Sequence, residues 1–459
     1  MSHIFDRTIL REYDVRGVVG KTLHEEDAYA LGRAYASLAL EEGARTIAVG
    51  RDGRTHSPDL EGELIRGLIE SGLNVLQIGV GPSPMLYFAV ATLSVQGGIQ
   101  VTGSHNPAEY NGFKMLLNGR SVFGGEIQNL GRRAADGDWV DGHGSIEQVD
   151  VIDAYVERLV HGFQGGTFKI GWDAGNGAAG PALEKLIAKL PGEHHAIHTE
   201  VDGRFPNHHP DPTVEANLAD LKALVAEKKL DFGVAFDGDA DRIGAVDAKG
   251  RVVWGDQLLM ILAEPVLKEQ PGSTIIADVK ASQILFEHIA KLGGQPLMWK
   301  TGHSLIKSKM KETGAPLAGE MSGHIFFKHR WYGFDDALYA AVRLIEAVAQ
   351  SRKSLTEIMD AMPKSLVTPE LRFPVDESRK FAVISEVKQR LTATGAKVDA
   401  TDGARVMTDD GWWLLRASNT QDVLVARAEA KDDAGMERLM AQIDEQLAQS
   451  GVERTAEGH

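Results

Sequence analysis

Thr46-Ile47-Ala48-Val49-Gly50 runs on to Asp52-Gly53, Lys169-Ile170-Gly171-Trp172 to Asp173, and Thr274-Ile275-Ile276-Ala277 to Asp278. Each is an apolar run of strand length that ends in an aspartate before a loop. Longer helical patterns lie between such runs, as from Asp27 to Glu42 just before the first of them. This alternation is the signature of α/β layers, and its threefold echo reads as the first strands of three related α/β domains. The C-terminal part breaks the pattern. Thr368 to Val375 reads as extended, Phe381 to Thr394 as helical, Ala404 to Ala430 as strand-rich and Asp432 to Gln449 as helical, which is an α+β arrangement. Gly/Asp-rich and Pro-containing stretches place the expected domains at 1–150, 151–250, 251–365 and 366–459. The expected fold class is therefore α/β: three related α/β domains with mixed sheets and a smaller C-terminal α+β domain.

The length of 459 residues agrees, since one hydrophobic core does not organise so long a chain. Hydrophobic residues make up 43% and charged residues 25%, ordinary values for a soluble protein, and no apolar run approaches the ~20 residues that cross a bilayer. The N-terminus meets Asp6 and Arg7 too early for a secretory signal and the chain has no cysteine, so a cytoplasmic location is expected. With 49 Lys+Arg against 65 Asp+Glu, the net charge of −16 argues against a general nucleic-acid surface. An anionic ligand must therefore meet a locally basic pocket.

The strongest local motif is Asp237-Gly238-Asp239-Ala240-Asp241-Arg242, set between the apolar runs Phe232 to Phe236 and Ile243 to Val246. Alternate residues of an extended segment face one side, so the three carboxylates can converge on a hard cation, with Mg²⁺ favoured where a phosphate oxygen completes the shell. A polar surface turn is the plainer alternative. An EF-hand is excluded because its sixth position is Arg242 and its twelfth Ala248.

A second motif is Val101-Thr102-Gly103-Ser104-His105-Asn106-Pro107, followed by Tyr110-Asn111-Gly112-Phe113-Lys114. A serine in such a loop can present its hydroxyl to a reacting group, with His105 and Lys114 supplying charge or proton transfer. Taken alone, Ser-His-Asn-Pro also makes a good turn. A phosphoryl group on Ser104 would bring about −1.5 to −2 charges, which a divalent ion and Arg242 would stabilise, so the two motifs support each other.

Gly319-Glu320-Met321-Ser322-Gly323-His324 places a carboxylate and a hydroxyl two residues apart between glycines, a pattern suited to sugar hydroxyls and also to a solvated loop. Arg416-Ala417-Ser418-Asn419-Thr420 follows Trp412 to Leu415, so a strand delivers a planar guanidinium and three short polar side chains into a turn. That is the chemistry of a phosphate cradle.

TGSHNP, DGDADR, GEMSGH and RASNT, in this order along a chain of this length, closely resemble the α-D-phosphohexomutases, most of all their bacterial phosphomannomutase/phosphoglucomutase branch. The resemblance implies a heart-shaped molecule around a central cleft, with Ser104 as phosphoserine and Asp237, Asp239 and Asp241 holding Mg²⁺ together with an oxygen on Ser104. It further implies that Glu320 and Ser322 bind the sugar 3- and 4-hydroxyls and that Arg416, Ser418, Asn419 and Thr420 grip the nonreacting phosphate. Arg16, Lys114, Arg242 and His303, with His105, would stabilise transferred charge or handle protons. Lys280 and His324 would contact substrate, as would Tyr13 and Gly302 beside them. The implied activity is reversible phosphoryl transfer between C1 and C6 of glucose or mannose phosphates through a hexose 1,6-bisphosphate, and the expectation for the assembly is a monomer. Within the family, phosphoglucosamine mutase is the alternative, although Met321 is more like the glucose/mannose branch.

Two further motifs point to other ligands. Gly175-Asn176-Gly177-Ala178-Ala179-Gly180 is a literal G-x-G-x-x-G after a strand, the pattern of a nicotinamide-dependent oxidoreductase. Gly20-Lys21-Thr22 lacks the earlier P-loop glycine, because Val15 stands there. A noncatalytic sugar-phosphate-binding protein on the same scaffold is the remaining alternative.

Overall fold

The computed structural model describes residues 2–419 and 421–452. Its first sheet shows how local sequence sets the pattern. The helix Glu25–Glu41 begins where Asp27 turns back to accept a hydrogen bond from the His24 N–H at 2.7 Å, and three acidic residues in its first turn complement the helix dipole. It stops at Gly43, whose φ of +86° no other residue adopts easily. Its small residues then allow a close crossing with the helix Ser57–Glu70: a Cβ at Gly32 would lie 2.4 Å from the Leu64 carbonyl oxygen.

The strand Thr46–Arg51 lies parallel to Asn74–Val80 on one side and to Gly97–Val101 on the other, and Gly97–Val101 pairs antiparallel with Tyr110–Leu117. The same four-strand unit recurs twice. Phe168–Asp173 lies between Gly192–Ile197 and Phe232–Phe236, both parallel to it, with Ile243–Asp247 antiparallel outside. Thr274–Asp278 likewise lies between Gln295–Trp299 and Leu317–Gly319, with Ile325–Phe327 antiparallel outside. The threefold echo is thus a real repeat, with each aspartate-ending run at the centre of its unit. Strands such as Phe232–Phe236 and Ile243–Asp247 are buried along their whole length, which is why they read as continuous apolar runs.

The fourth sheet is built differently. Val423–Ala430, Gly411–Ala417, Ala404–Met407 and Lys397–Asp399 form an antiparallel series. The helices Glu377–Ala393 and Asp433–Gln449 cover one of its faces over a core that includes Trp413, Leu415, Val387 and Leu439. The first of these helices starts earlier than the apolar pattern suggests, because Asp376 caps it by accepting from the Ser378 N–H. One continuous core runs from Tyr87 and Phe88 of the first unit through Trp172 and Phe236 of the second to Leu317 and Phe327 of the third. Among the described residues, no helix is long and apolar enough to cross a membrane.

Candidate active site

In every α/β unit the loop joining the third strand to the fourth leads to the same cleft. These loops span 102–109, 237–242 and 320–324, and they carry the three strongest motifs of those units. The cleft has a volume of about 1540 Å³. Tyr13, Arg16, Ser104, His105 and Lys114 of the first unit line it, as do Arg242 of the second, Lys280, Gly302, His303, Glu320, Ser322 and His324 of the third, and Arg416, Ser418 and Asn419 of the fourth. Thr420 lies outside the described residues.

Ser104 is buried and left-handed, with φ of +49°. That conformation costs a residue with a Cβ about 1–2 kcal/mol, so its surroundings must hold it there. Its hydroxyl donates to Asp237 Oδ2 at 3.0 Å and lies 3.2 Å from His105 Nδ1. The two loops touch so closely that a Cβ at Gly238 would stand 2.4 Å from the Ser104 carbonyl oxygen. Burial, reinforced by neighbouring Arg242 and Arg16, holds His105 well below the usual histidine range, so its ring is neutral.

Asp237, Asp239 and Asp241 are fully buried, and one oxygen of each lies within 4.8 Å of the others. They converge by a different route from the one their spacing suggests. The segment is a turn and not an extended strand: the Ala240 N–H donates back to the Asp237 carbonyl at 3.0 Å, and Ala240 takes φ of +54°. An extended path could not return to the antiparallel strand at Ile243, so the chain reverses here and gathers the carboxylates by curvature.

Lys114 Nζ donates to Asp239 Oδ2 at 2.7 Å and to Asp241 Oδ2 at 2.5 Å. Burial opposes its charge, but the two carboxylates outweigh that and keep Lys114 well above the usual lysine range. Ser83, at the start of the helix Ser83–Thr92, donates its hydroxyl to Asp239 Oδ2 at 2.5 Å and its N–H to the Asp239 carbonyl at 2.9 Å. Oδ1 of Asp239 and Oδ1 of Asp241 are buried without a hydrogen-bond partner. Burial, then repulsion from Asp239 and Asp241, pushes the Asp237 carboxyl well above its ordinary range. Unpartnered carboxylate oxygens in so acidic a pocket fit a hard divalent cation.

The third loop is held by its own strand: the Met321 N–H donates to Asp278 Oδ1 at 3.1 Å. Glu320 accepts from the Gly302 N–H at 3.2 Å and from the Ser322 hydroxyl at 3.3 Å, and burial raises its pKa. Arg242 Nε donates to His324 Nε2 at 3.1 Å. The other ring nitrogen of His324 lies 3.0 Å from Asp335 Oδ2, which sets a buried carboxylate behind the ring that accepts from Arg242. His303 stands 5.7 Å from His324 in a stacked arrangement, and burial holds it well below the usual histidine range.

Tyr13 joins three units. Its hydroxyl donates to the Thr301 carbonyl at 2.8 Å and accepts from Asn419 Nδ2 at 2.6 Å, while a Cβ at Gly302 would meet its ring at 2.4 Å. Arg416 Nε donates to Asp402 Oδ2 at 3.0 Å, and the same oxygen accepts from the Thr301 N–H at 3.1 Å. Arg16 donates to Asn106 Oδ1 at 2.5 Å and to the Gly103 carbonyl at 3.2 Å. Lys280 contacts Glu370 at 3.1 Å, which is the main reason the Glu370 carboxyl is lowered to about 2.

The structure thus brings together every described residue that the sequence reading singled out. Sequence reasoning missed Ser83, Asp335, Asp402 and Arg427, which also lines the cleft. Only Arg427 carried a signal, as one of two ionic residues, with Glu429, in the otherwise apolar strand Val423–Ala430. The G-x-G-x-x-G decoy is also settled. Residues 171–180 are buried throughout, and a Cβ at Gly177 would press on Gly238 at 2.8 Å and one at Gly180 on Thr199 at 1.8 Å. The glycines admit the protein's own backbone, with no space left for a dinucleotide.

Comparison with known proteins agrees with this architecture. A crystal structure of a phosphoglucomutase/phosphomannomutase family protein from Burkholderia thailandensis superposes with a TM-score of 0.93, covers 99% of each chain and is 42% identical. Three mixed α/β units and a C-terminal α+β unit around one cleft are therefore an α-D-phosphohexomutase architecture. The chain belongs to the phosphoglucomutase/phosphomannomutase family: its α/β/α domain I matches residues 7–138, domain II 153–250, domain III 254–366 and the C-terminal domain 370–446. A phosphomannomutase/phosphoglucomutase of Pseudomonas putida is 46% identical over 433 residues, 94% of either chain. A phosphoglucomutase of Neisseria gonorrhoeae is 45% identical over 438 residues, 94% of this chain and 95% of its own.

Proposed function

We propose that this protein catalyses reversible phosphoryl transfer between C1 and C6 of hexose phosphates, of glucose or mannose or both, through a phosphoserine at Ser104 and a hexose 1,6-bisphosphate. The observation that carries the reading is the Ser104 hydroxyl at 3.0 Å from a buried carboxylate trio, on the floor of a cleft lined by cations. The names of relatives at 45–46% identity support it.

In the forward half-reaction a free sugar hydroxyl attacks phosphorus on phospho-Ser104. The new O–P bond forms as the seryl O–P bond breaks, the hydroxyl proton passes to a cleft imidazole, and the imidazolium so formed returns a proton to the seryl oxygen. Arg16, Lys114 and Arg242 face the charge in transit, and neutral His105 and His303 are free to exchange protons. Arg416, Ser418, Asn419 and Thr420 would hold the distal phosphate, Glu320 and Ser322 the middle hydroxyls, and Tyr13, Lys280, Gly302 and His324 the rest of the substrate. Reorientation of the bisphosphate then presents the other phosphate to Ser104. Asp237, Asp239 and Asp241, with an oxygen on Ser104, would hold Mg²⁺, which supplies Lewis-acid stabilisation of the transferred group. The proposed domains are 1–150, 151–250, 251–365 and 366–459, and the proposed working form is a cytoplasmic monomer.

Ser104→Ala should lose essentially all turnover of glucose 1-phosphate in the presence of glucose 1,6-bisphosphate, and Asp239→Asn most of its magnesium-dependent turnover. Undiminished activity in Ser104→Ala would refute the reading. Parallel assays on mannose 1-phosphate, glucose 1-phosphate and glucosamine 1-phosphate distinguish it from a phosphoglucosamine mutase.

A further inference from the structure

Arg54 is buried directly behind the Ser104 loop, and its terminal nitrogens bind that loop's backbone at four points. Nη1 donates to the carbonyls of Pro107 at 2.5 Å and Tyr110 at 2.9 Å, and Nη2 to those of Ser104 at 2.9 Å and Asn106 at 2.6 Å. Behind it, Asp52 completes a clamp. Its Oδ2 lies 3.3 Å from Arg54 Nε and accepts from the Thr102 hydroxyl at 2.9 Å and the Gly103 N–H at 3.1 Å, while its Oδ1 accepts from the Arg54 N–H at 3.0 Å. The pair therefore grips the backbone on both sides of the left-handed Ser104.

The second unit seals this clamp from water. The Phe205 ring centre lies 5.1 Å from the Arg54 guanidinium carbon, and a Cβ at Gly203 would stand 2.3 Å from Arg54 Cα. Only a planar fork of several donors can reach four carbonyls pointing at one buried spot. An ammonium has three donors on a single atom and cannot span them.

We propose that Arg54 is a positioning residue: by gathering four loop carbonyls on one guanidinium it holds the Ser104 hydroxyl against the carboxylate trio and so sets the rate of phosphoryl transfer, not the affinity for sugar. The proposal rests on Ser104 being the phosphoryl carrier. The groups assigned to the middle hydroxyls of the sugar and to the distal phosphate lie on the third and fourth units, so the two effects separate kinetically.

The test uses full-length Arg54→Lys, with Ser104→Ala as control. Turnover of glucose 1-phosphate with glucose 1,6-bisphosphate is measured together with the phosphorylated fraction of Ser104 by intact mass. The expected result is a fall in kcat of about 100-fold, the scale of a misplacement near 1 Å, with KM within about threefold of wild type and a reduced phosphorylated fraction. Gly103→Ala provides a second route, because its added Cβ would sit 2.4 Å from the Arg54 guanidinium carbon and 2.8 Å from the Tyr110 carbonyl oxygen, pushing the guanidinium and one of its acceptors apart without deleting either. It should shift kcat in the same direction, and it decides the matter alone if Arg54→Lys does not fold. An inactive Ser104→Ala beside an Arg54→Lys with wild-type kcat, or with KM raised as much as kcat falls, would overturn the role of Arg54 alone. An active Ser104→Ala would overturn the reading beneath it.

Discussion

Asp52, Asp173 and Asp278 end equivalent strands in the three α/β units, yet they are employed in two ways. Asp52 and Asp278 hold the functional loop of their own unit, through the Gly103 N–H and the Met321 N–H respectively. Asp173 turns away: its Oδ2 lies 2.9 Å from His208 Nε2, and its Oδ1 accepts from the Gly175 N–H at 2.9 Å. The carboxylate loop of the second unit is held from the first instead, by Ser83 and Lys114. A repeat decides where loops emerge, while the side chains that face them decide what holds them. Because the trio must meet Ser104 across a domain boundary, anchoring it to the first unit ties the two reacting parts together.

The comparison breaks most visibly at Asp52. Asp52→Asn leaves buried Arg54 without its partner charge and should cost roughly 3 kcal/mol of stability, read by denaturant unfolding, together with about 100-fold in kcat. Asp278→Asn should act on the sugar loop. The Met321 N–H and the Thr301 hydroxyl lose a charged acceptor worth about 1.5–3 kcal/mol, so KM for glucose 1-phosphate should rise about tenfold with a smaller change in kcat. Asp173→Asn should leave kcat and KM within about twofold of wild type and lower stability by about 1 kcal/mol; a loss of activity as large as that of Asp52→Asn would show that all three aspartates do the same work.

The smallest effect is one of pH. Burial opposes the charge on His208, but Asp173 outweighs it and raises the histidine's pKa above its ordinary value of 6.5. A group bound more tightly to its proton in the folded state contributes stability that is complete below pH 6.5 and is lost as pH rises through the folded pKa. Melting temperature should therefore carry a component that falls between pH 6 and 8. His208→Gln should remove that component, and an unchanged profile in the variant would show that the pair is not the source.

Much of this organisation was legible because it is written in local patterns. The aspartate-ending runs announced the repeat, and the motifs around Ser104, Asp237, Glu320 and Arg416 all face the cleft. The path of the carboxylate loop was not legible, since Gly238 and Ala240 fit an extended segment as well as a turn until the next strand's direction is known. Lys114 stands out in the sequence by its position near Ser104, but its bonds to Asp239 and Asp241 cross 125 and 127 residues of sequence. Ser83, Arg54 and Asp335 carry no motif at all.

By itself, the order of residues determined the three like units, the distinct fourth, and which loops carry acids, hydroxyls and cations, because periodicity and turn chemistry act over a few neighbours. Only the tertiary structure decided that Lys114 neutralises two of three buried acids, that Ser104 is held left-handed by a clamp behind it, and that a G-x-G-x-x-G loop is filled by the protein's own backbone. Those outcomes depend on burial and on contacts between distant segments, where the low dielectric makes every unmatched charge or polar group expensive.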